Sequence, residues 1–322
     1  MVKVNFVDFW EEFNPTQDPI FGTFLRKRYG AEISETPNFL FFSDLGTTHR
    51  DRRWNKCTKI FYTAENRGTP RHRTLMGRLF QVLRRARGAS HQPSQTPSST
   101  IDFNCSDFAI SHHHVDDRRH LRLPNYVRRY GLEKVQCLKR AKRADGILEK
   151  KKGFCCFVYS NARSDLPGVA LRNELFKMLC QYRKVDSAGS VLNNMDGYVV
   201  PRDLETYLKF ISQYKFAITF ESSEGRGYTT EKIFHAMLAN TLPIYWGNPE
   251  VQRDFNEESF INFYKYDDLD AVVNRVIRTD EDDELYDHYM SQPCLTKGGY
   301  LERISERTLV RFFNRVFGIE TQ

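Results

Sequence analysis

The densest run of chemically capable residues lies at 216–234. Phe216-Ala217-Ile218-Thr219-Phe220 passes into Glu221, Ser222, Ser223, Glu224, Gly225, Arg226 and Gly227, and then into Tyr228-Thr229-Thr230-Glu231-Lys232. The pattern predicts a buried strand, a glycine-bearing loop and a helix that begins at Thr229 or Thr230. Ligands of open α/β sheets collect at the carboxyl ends of strands. A helix N-terminus offers unsatisfied N–H groups and the positive end of a dipole, which suit phosphate, and Lys232 adds a full positive charge. An ordinary capped helix with a solvated Glu231–Lys232 pair meets the same pattern. Further on, Pro243-Ile244-Tyr245-Trp246 runs into Gly247-Asn248-Pro249. Glycine there lets backbone approach a ligand closely, and a plain tight turn serves as well.

Other constellations are weaker. Carboxylates alternate at Asp268-Leu269-Asp270 and Asp280-Glu281-Asp282. They read as a helix start and a solvated acidic turn rather than a metal site. His112-His113-His114 has metal-ligating side chains. Adjacent residues on a strand point to opposite faces, so no metal site is expected there. The seven cysteines are odd in number and none stands in C-x-x-C spacing. That excludes a disulfide scaffold or zinc ribbon and predicts scattered thiols in a reducing compartment.

The elements that must position these residues alternate along the chain. Apolar runs at 2–7, 39–42, 59–63 and 108–111 read as strands, and 21–29 as a helix stopped by Gly30. The rhythm restarts with strands at 154–159, 216–220, 242–246 and 260–264 and helices at 169–182, 231–239 and 269–277. Strands alternating with helices predict α/β layers with parallel sheets. At 304–317, apolar positions face away from Arg303, Arg307, Arg311 and Arg315. That is a helix packed on a domain, or one lying at a membrane interface.

The 322 residues allow two domains, and 40% hydrophobic and 14% aromatic residues suffice for packed cores. No run of 18 apolar residues and no signal-peptide pattern occurs. The net charge of +7 belongs to one stretch. Residues 67–100 carry seven arginines and no Lys, Asp or Glu, so the rest balances at 41 basic against 41 acidic residues. The stretch reads as a solvated insertion, its later part disordered. Leu75, Met76, Leu79, Phe80, Leu83 and Ala86 line one face of its earlier part, which a basic amphipathic helix at a membrane would also show. A second basic run, 139–152, reads as an interdomain connection. No aromatic platform or RNA-binding motif accompanies either run, so nucleic acid is not an expected partner.

Taken with their spacing, these motifs resemble the α1,3-fucosyltransferases. That family reads F-E-N-S, a short loop, Y-x-T-E-K, a helix, and P-[IV]-x-x-G-x-P. Here the counterparts are Phe220-Glu221-Ser222-Ser223, Tyr228 to Lys232, and Pro243 to Pro249, continuing through Asp254-Phe255-Asn256 to Ile261. Phe61-Tyr62-Thr63-Ala64-Glu65-Asn66 is similar to F-Y-T-G-E-N. Asp102-Phe103-Asn104, His120-Leu121-Arg122-Leu123-Pro124, Val158-Tyr159-Ser160-Asn161 and Leu171-Arg172-Asn173 follow in the family's order. Two departures stand out. Ser222 replaces the amide of F-E-N-S, and residues 67–101 intervene between E-N and D-F-N, where the family passes almost directly.

The resemblance implies a GT-B-type fold, α/β, with two Rossmann-like domains facing across a cleft. The expected domains are 1–145 on the acceptor side, 146–300 for the donor, and a C-terminal helix at 301–322. It implies inverting transfer from GDP-β-L-fucose to a GlcNAc or glucose hydroxyl of a β-galactosyl-containing, N-acetyllactosamine-like glycan. Glu65 is the implied catalytic base. Arg172 and Lys232 are implied to hold the pyrophosphate, Glu231 a ribose or fucose hydroxyl, and Ser222 and Tyr228 further parts of the donor. With cations supplied by side chains, no metal or other cofactor is expected. The chain as written favours the cytoplasm with peripheral membrane contact. A eukaryotic fragment would instead belong to the Golgi membrane. The alternative is an inactive sugar-nucleotide-binding relative whose insertion disrupts the acceptor site.

Overall fold

The computed structural model describes residues 1–66, 103–140, 146–163 and 165–320. The 67–100 insertion lies outside them, with its amphipathic face and its expected disorder. So do residues 141–145 of the second basic run. The described residues divide into two units. The first holds 1–66, 103–135 and 304–320, and the second holds 136–140, 146–163 and 165–303. No helix among the described residues is long and apolar enough to cross a membrane.

The first unit is built on a six-stranded sheet in the order β2-β1-β3-β4-β5-β6. Its strands are β1 (Lys3–Val7), β2 (Glu32–Ile33), β3 (Phe39–Phe42), β4 (Thr58–Thr63), β5 (Phe108–Ser111) and β6 (His120–Arg122), and every pairing is parallel. The central strands bury Leu40, Phe41, Ile60, Tyr62, Ala109 and Ile110. Near-continuous apolar runs of this kind are what a parallel sheet covered on both faces requires. Register sets Phe42 beside Phe61 and Thr63 beside Ser111, so the carboxyl ends of β3, β4 and β5 share one edge.

The expected helix at 21–29 is shorter and differently wound. A π-helical turn at Pro19–Phe24 precedes the α-helix α1 (Leu25–Tyr29). The Asp18 carbonyl takes the N–H groups of both Gly22 and Thr23, at 3.0 and 2.9 Å, which widens the turn. Asp18 itself is anchored by the buried Arg128 on α2 (Asn125–Arg140). Gly30, at φ 60°, ends α1.

The C-terminal segment joins the first unit from Ile304 onward. Its helix, here α9 (Glu306–Phe317), buries Leu309, Phe312, Phe313 and Val316 and leaves Arg307, Arg311 and Arg315 exposed. Phe313 packs 5.9 Å from Phe24, and Phe317 packs 4.7 Å from Phe39. The apolar stripe is thus spent on the protein's own core.

The second unit holds β7 (Gly153–Phe157), β8 (Val185–Ser187), β9 (Tyr214–Ile218), β10 (Leu242–Tyr245) and β11 (Ile261–Asn262) in the parallel order β11-β10-β9-β7-β8. The strand expected over 260–264 is only two residues long, and a 3-10 turn at Phe263–Lys265 replaces the rest. Its helices are α3 (Pro167–Tyr182), α4 (Leu204–Ile211), α5 (Glu231–Leu238), α6 (Leu269–Glu281), α7 (Asp283–Ser291) and α8 (Tyr300–Arg303). Alternation puts Cys155 and Phe157 in one apolar cluster with Leu175 and Val272, and Cys156 in another with Ile211 and Ala236. Helices therefore cover both faces. β7 is flanked by β8 on one side and β9 on the other, so the strand order reverses there. Such a reversal opens a crevice at the carboxyl ends of the two diverging strands.

Candidate active site

That crevice is where the motifs at 158–161, 171–173 and 220–232 meet. β7 leads into Tyr159 and Asn161, and β9 leads into Phe220, Glu221 and Ser222. Tyr159 is buried, and its hydroxyl donates to the carbonyls of Ile218 and Phe220 at 3.0 and 3.1 Å, tying the two strand ends together. Arg172, one turn into α3, lays its guanidinium over the Tyr159 ring at 3.8 Å and donates to the Asn161 carbonyl. It is only 1% exposed, and its Nε has no hydrogen-bond partner. Desolvation lowers its pKa, opposed by the nearby Tyr159 and Glu221.

Glu221 was assigned no role in the sequence, yet it organises the site. Its side chain is 0% exposed. Oε1 accepts the Thr230 backbone N–H at 2.7 Å, and Oε2 accepts the Thr230 hydroxyl at 2.7 Å and Lys232 Nζ at 2.9 Å. Thr230 is the N-cap of α5, and its own side chain caps nothing. The Glu221 carboxylate supplies the anion that the helix terminus favours. Lys232 also donates to Thr230 Oγ1 at 2.7 Å. Lys232 is therefore not a solvated surface cation, as the plain capped-helix alternative would have it, but bridges to Glu221, whose burial makes an unpaired carboxylate costly. Burial pushes Glu221 up against the pull of Lys232. For Lys232, desolvation is outweighed by Glu221 and Glu231, which hold the ammonium above its ordinary value. A glutamate directly after a buried strand was a readable signal that a partner must be close.

The loop between β9 and α5 is tied by the fully buried Asn248. It accepts the Gly227 N–H at 2.9 Å and donates to Thr229 Oγ1 at 3.0 Å. Gly247, at φ 146°, passes so close that a Cβ there would stand 2.4 Å from Glu221 Cγ. Ser222 is half-buried, and its carbonyl accepts the N–H of Gly168 at the start of α3 at 3.1 Å. Tyr228 is half-buried, and its backbone N–H closes the glycine turn on the Gly225 carbonyl at 3.0 Å. Glu231 is the first residue of α5. The second unit thus gathers Arg172, Ser222, Tyr228, Glu231 and Lys232 around the ends of β7 and β9.

Glu65 belongs to the first unit, two residues past β4, and is exposed. Its backbone N–H donates to Thr63 Oγ1 at 3.0 Å. The histidine run begins just beyond β5, not on it, so the strand rule does not apply. His112 and His113 are both buried, with ring centroids 3.9 Å apart. Among the described residues no group of three His, Cys, Asp or Glu stands arranged to hold a metal. Asp268 caps α6 through the Ala271 N–H at 2.8 Å. Asp280 departs from the solvated reading: its buried carboxylate pairs with Arg183 and Lys215, each at 2.9 Å. None of the seven cysteines forms a disulfide.

A family model described as glycosyltransferase family 10 (fucosyltransferase) C-term matches residues 148–292. A second, the alpha-(1,3)-fucosyltransferase FucT N-terminal domain, matches residues 4–129. The chain belongs to the glycosyltransferase family 10 fucosyltransferases, and its fold is of the GT-B type, with two Rossmann-like α/β units. It is 27% identical to the alpha-(1,3)-fucosyltransferase FucT of Helicobacter pylori over 99% of this chain and 66% of that protein. It is 27% identical to human GDP-fucose protein O-fucosyltransferase 3 over 63% of this chain and 42% of that protein. The chain therefore spans just under two thirds of the bacterial relative's length and less than half of the human one's. A crystal structure of alpha1,3-fucosyltransferase with GDP-fucose aligns over 100% of this chain and 91% of that one, with 23% identity and a TM-score of 0.71.

Proposed function

We propose that the protein is an inverting α-(1,3)-fucosyltransferase that moves L-fucose from GDP-β-L-fucose to a GlcNAc or glucose hydroxyl of an N-acetyllactosamine-like glycan. The observation that carries this reading is the convergence of Arg172 and the Glu221–Lys232 pair at the β7/β9 crevice. Departure of GDP builds negative charge on the pyrophosphate, and fixed cations beside it lower the barrier. Arg172 offers a planar fork and Lys232 a point charge. A phosphate oxygen would take the place of the Asn161 carbonyl on Arg172. Glu231 would hold a ribose or fucose hydroxyl, with Tyr228 and Ser222 lining the nucleotide. Single displacement with inversion needs a base on the acceptor side. Glu65, on the other unit, carries an exposed carboxylate and takes that role. It would draw the proton from the acceptor hydroxyl as the new glycosidic bond forms and the GDP bond breaks.

The test is incubation of the purified chain with GDP-fucose and N-acetyllactosamine, with the product linkage read by NMR. An α1,3-linked fucose, formed equally in EDTA, supports the reading. GDP binding without transfer would instead identify a sugar-nucleotide-binding relative that has lost catalysis.

A further inference from the structure

β3 and β4 lie side by side, and the loop that leaves each reaches the same edge of the first sheet. The Thr63 hydroxyl donates to Asp44 Oδ2 at 2.8 Å, and Thr63 Oγ1 accepts the backbone N–H of Glu65 at 3.0 Å. We infer that Asp44 and Thr63 are positioning residues for Glu65, fixing through one shared hydroxyl the point at which that carboxylate is presented to the acceptor. The inference rests on the reading of Glu65 as the base.

The polarity of the chain follows from the groups. An ionised carboxylate only accepts, so the single proton of the Thr63 hydroxyl must go to Asp44. Its oxygen is thereby left as an acceptor aimed at Glu65 N–H. A hydroxyl bonded to the N–H two residues on forms an ST turn, which bends the backbone as it leaves the strand. Thr63 is only 4% exposed, so no solvent competes for its hydroxyl. Glu65, by contrast, is exposed, and among the described residues its carboxylate has no hydrogen-bond or ion-pair partner. Its placement is therefore set by the backbone beneath it, and that backbone is held from the neighbouring strand. Catalysis needs this restraint because small misplacement of a reacting group is costly in rate.

The experiment compares Thr63→Val, Thr63→Ser and Asp44→Ala in the full chain, alone and combined with Glu65→Gln. Thr63→Val keeps shape and removes both bonds. Its kcat should fall on the order of tenfold or more, the scale of a misplaced catalytic group, with GDP affinity unchanged. Thr63→Ser should restore turnover, and Asp44→Ala should lower it in the same direction. In the Glu65→Gln background, Thr63→Val should add no further loss, because both changes act through one group. Should Thr63→Val fail to fold, the Asp44→Ala cycle with Glu65→Gln answers the same question. If Glu65→Gln is inactive while Thr63→Val and Asp44→Ala keep normal kcat, the positioning role is wrong and the base reading stands. If Glu65→Gln itself turns over normally, both fall.

Discussion

Lys232 does not face solvent as a bare cation; its ammonium lies 2.9 Å from Oε2 of the fully buried Glu221. The pair ties the segment after β9 to the first turn of α5, where Glu221 also takes the Thr230 N–H. The charge offered to a ligand is thus a fixed local dipole rather than a free-swinging lysine. That costs no reorganisation when negative charge develops nearby.

Removing one member of this pair should cost more than removing both. Glu221→Gln removes the carboxylate that bonds a largely buried ammonium, and breaking a buried pair from one side typically destabilises by ~3–5 kcal/mol. Adding Lys232→Met should recover part of that loss. Urea unfolding of the two single variants and the double variant measures it. A double variant less stable than Glu221→Gln would show that the pair is not the source of the cost.

Gly247 is the position at which backbone conformation and the pair meet. Its φ of 146° and the 2.4 Å approach of a Cβ to Glu221 Cγ both oppose any side chain. Gly247→Ala should lose ~1–3 kcal/mol from backbone strain alone. It should also weaken GDP binding by moving Glu221 and, with it, Lys232. Isothermal titration on the folded variant reads the second effect. Unaltered GDP affinity would separate the turn from the donor pocket.

Arg172 should not be replaceable by lysine. Its guanidinium stacks at 3.8 Å on Tyr159, a geometry an ammonium does not reproduce. Arg172→Ala and Lys232→Ala should each weaken GDP binding by ~1–3 kcal/mol, the scale of a charge-assisted hydrogen bond. Arg172→Lys should stay close to Arg172→Ala. Unchanged GDP affinity in both alanine variants would place the pyrophosphate elsewhere.

Two histidines, the buried His112 and the half-buried His120, should make the first unit acid-labile. Desolvation lowers His120 to about 3 and His112 well below its ordinary 6.5, helped by neighbouring His113 and Arg122. In the native state both stay neutral where the unfolded chain takes up protons. Stability is then fully present above pH ~6.5 and is lost as pH falls towards ~3, at up to ~1.4 kcal/mol per pH unit for each group. Melting temperatures from pH 7.5 to 5 should show this decline, and His120→Gln should flatten it. An equally steep decline in the variant would assign the effect to other groups.

Legibility from sequence followed local signal strength. Phe39–Phe42 and Phe108–Ser111 are strands over the residues read as such, because short apolar runs between polar breaks have few other uses. The start of α5 near Thr230 was equally plain. The π-helical turn at Pro19–Phe24 was not, because Arg128, far along the chain, anchors the Asp18 that widens it. β11 shrank to Ile261–Asn262 because apolar character at 260–264 could not reveal where pairing stops. At the site, motif spacing marked Arg172 and Lys232, but their partners came only with the folded strands. Glu221 reads as one letter of a motif until burial shows that it must be paired. Asp44 reads as a loop residue until β3 and β4 lie side by side.

The most direct measurement is GDP binding and fucose transfer by the wild-type chain and Glu65→Gln, made on the same preparations. The amide keeps the shape of Glu65 and removes its basicity. Transfer from GDP-fucose to N-acetyllactosamine should fall at least ~100-fold, the usual scale for loss of a general base. GDP affinity should not change, since the residues proposed to hold the donor belong to the other unit. A Glu65→Gln variant with near wild-type turnover, or one that loses GDP binding along with transfer, would contradict the division of labour between base and donor pocket.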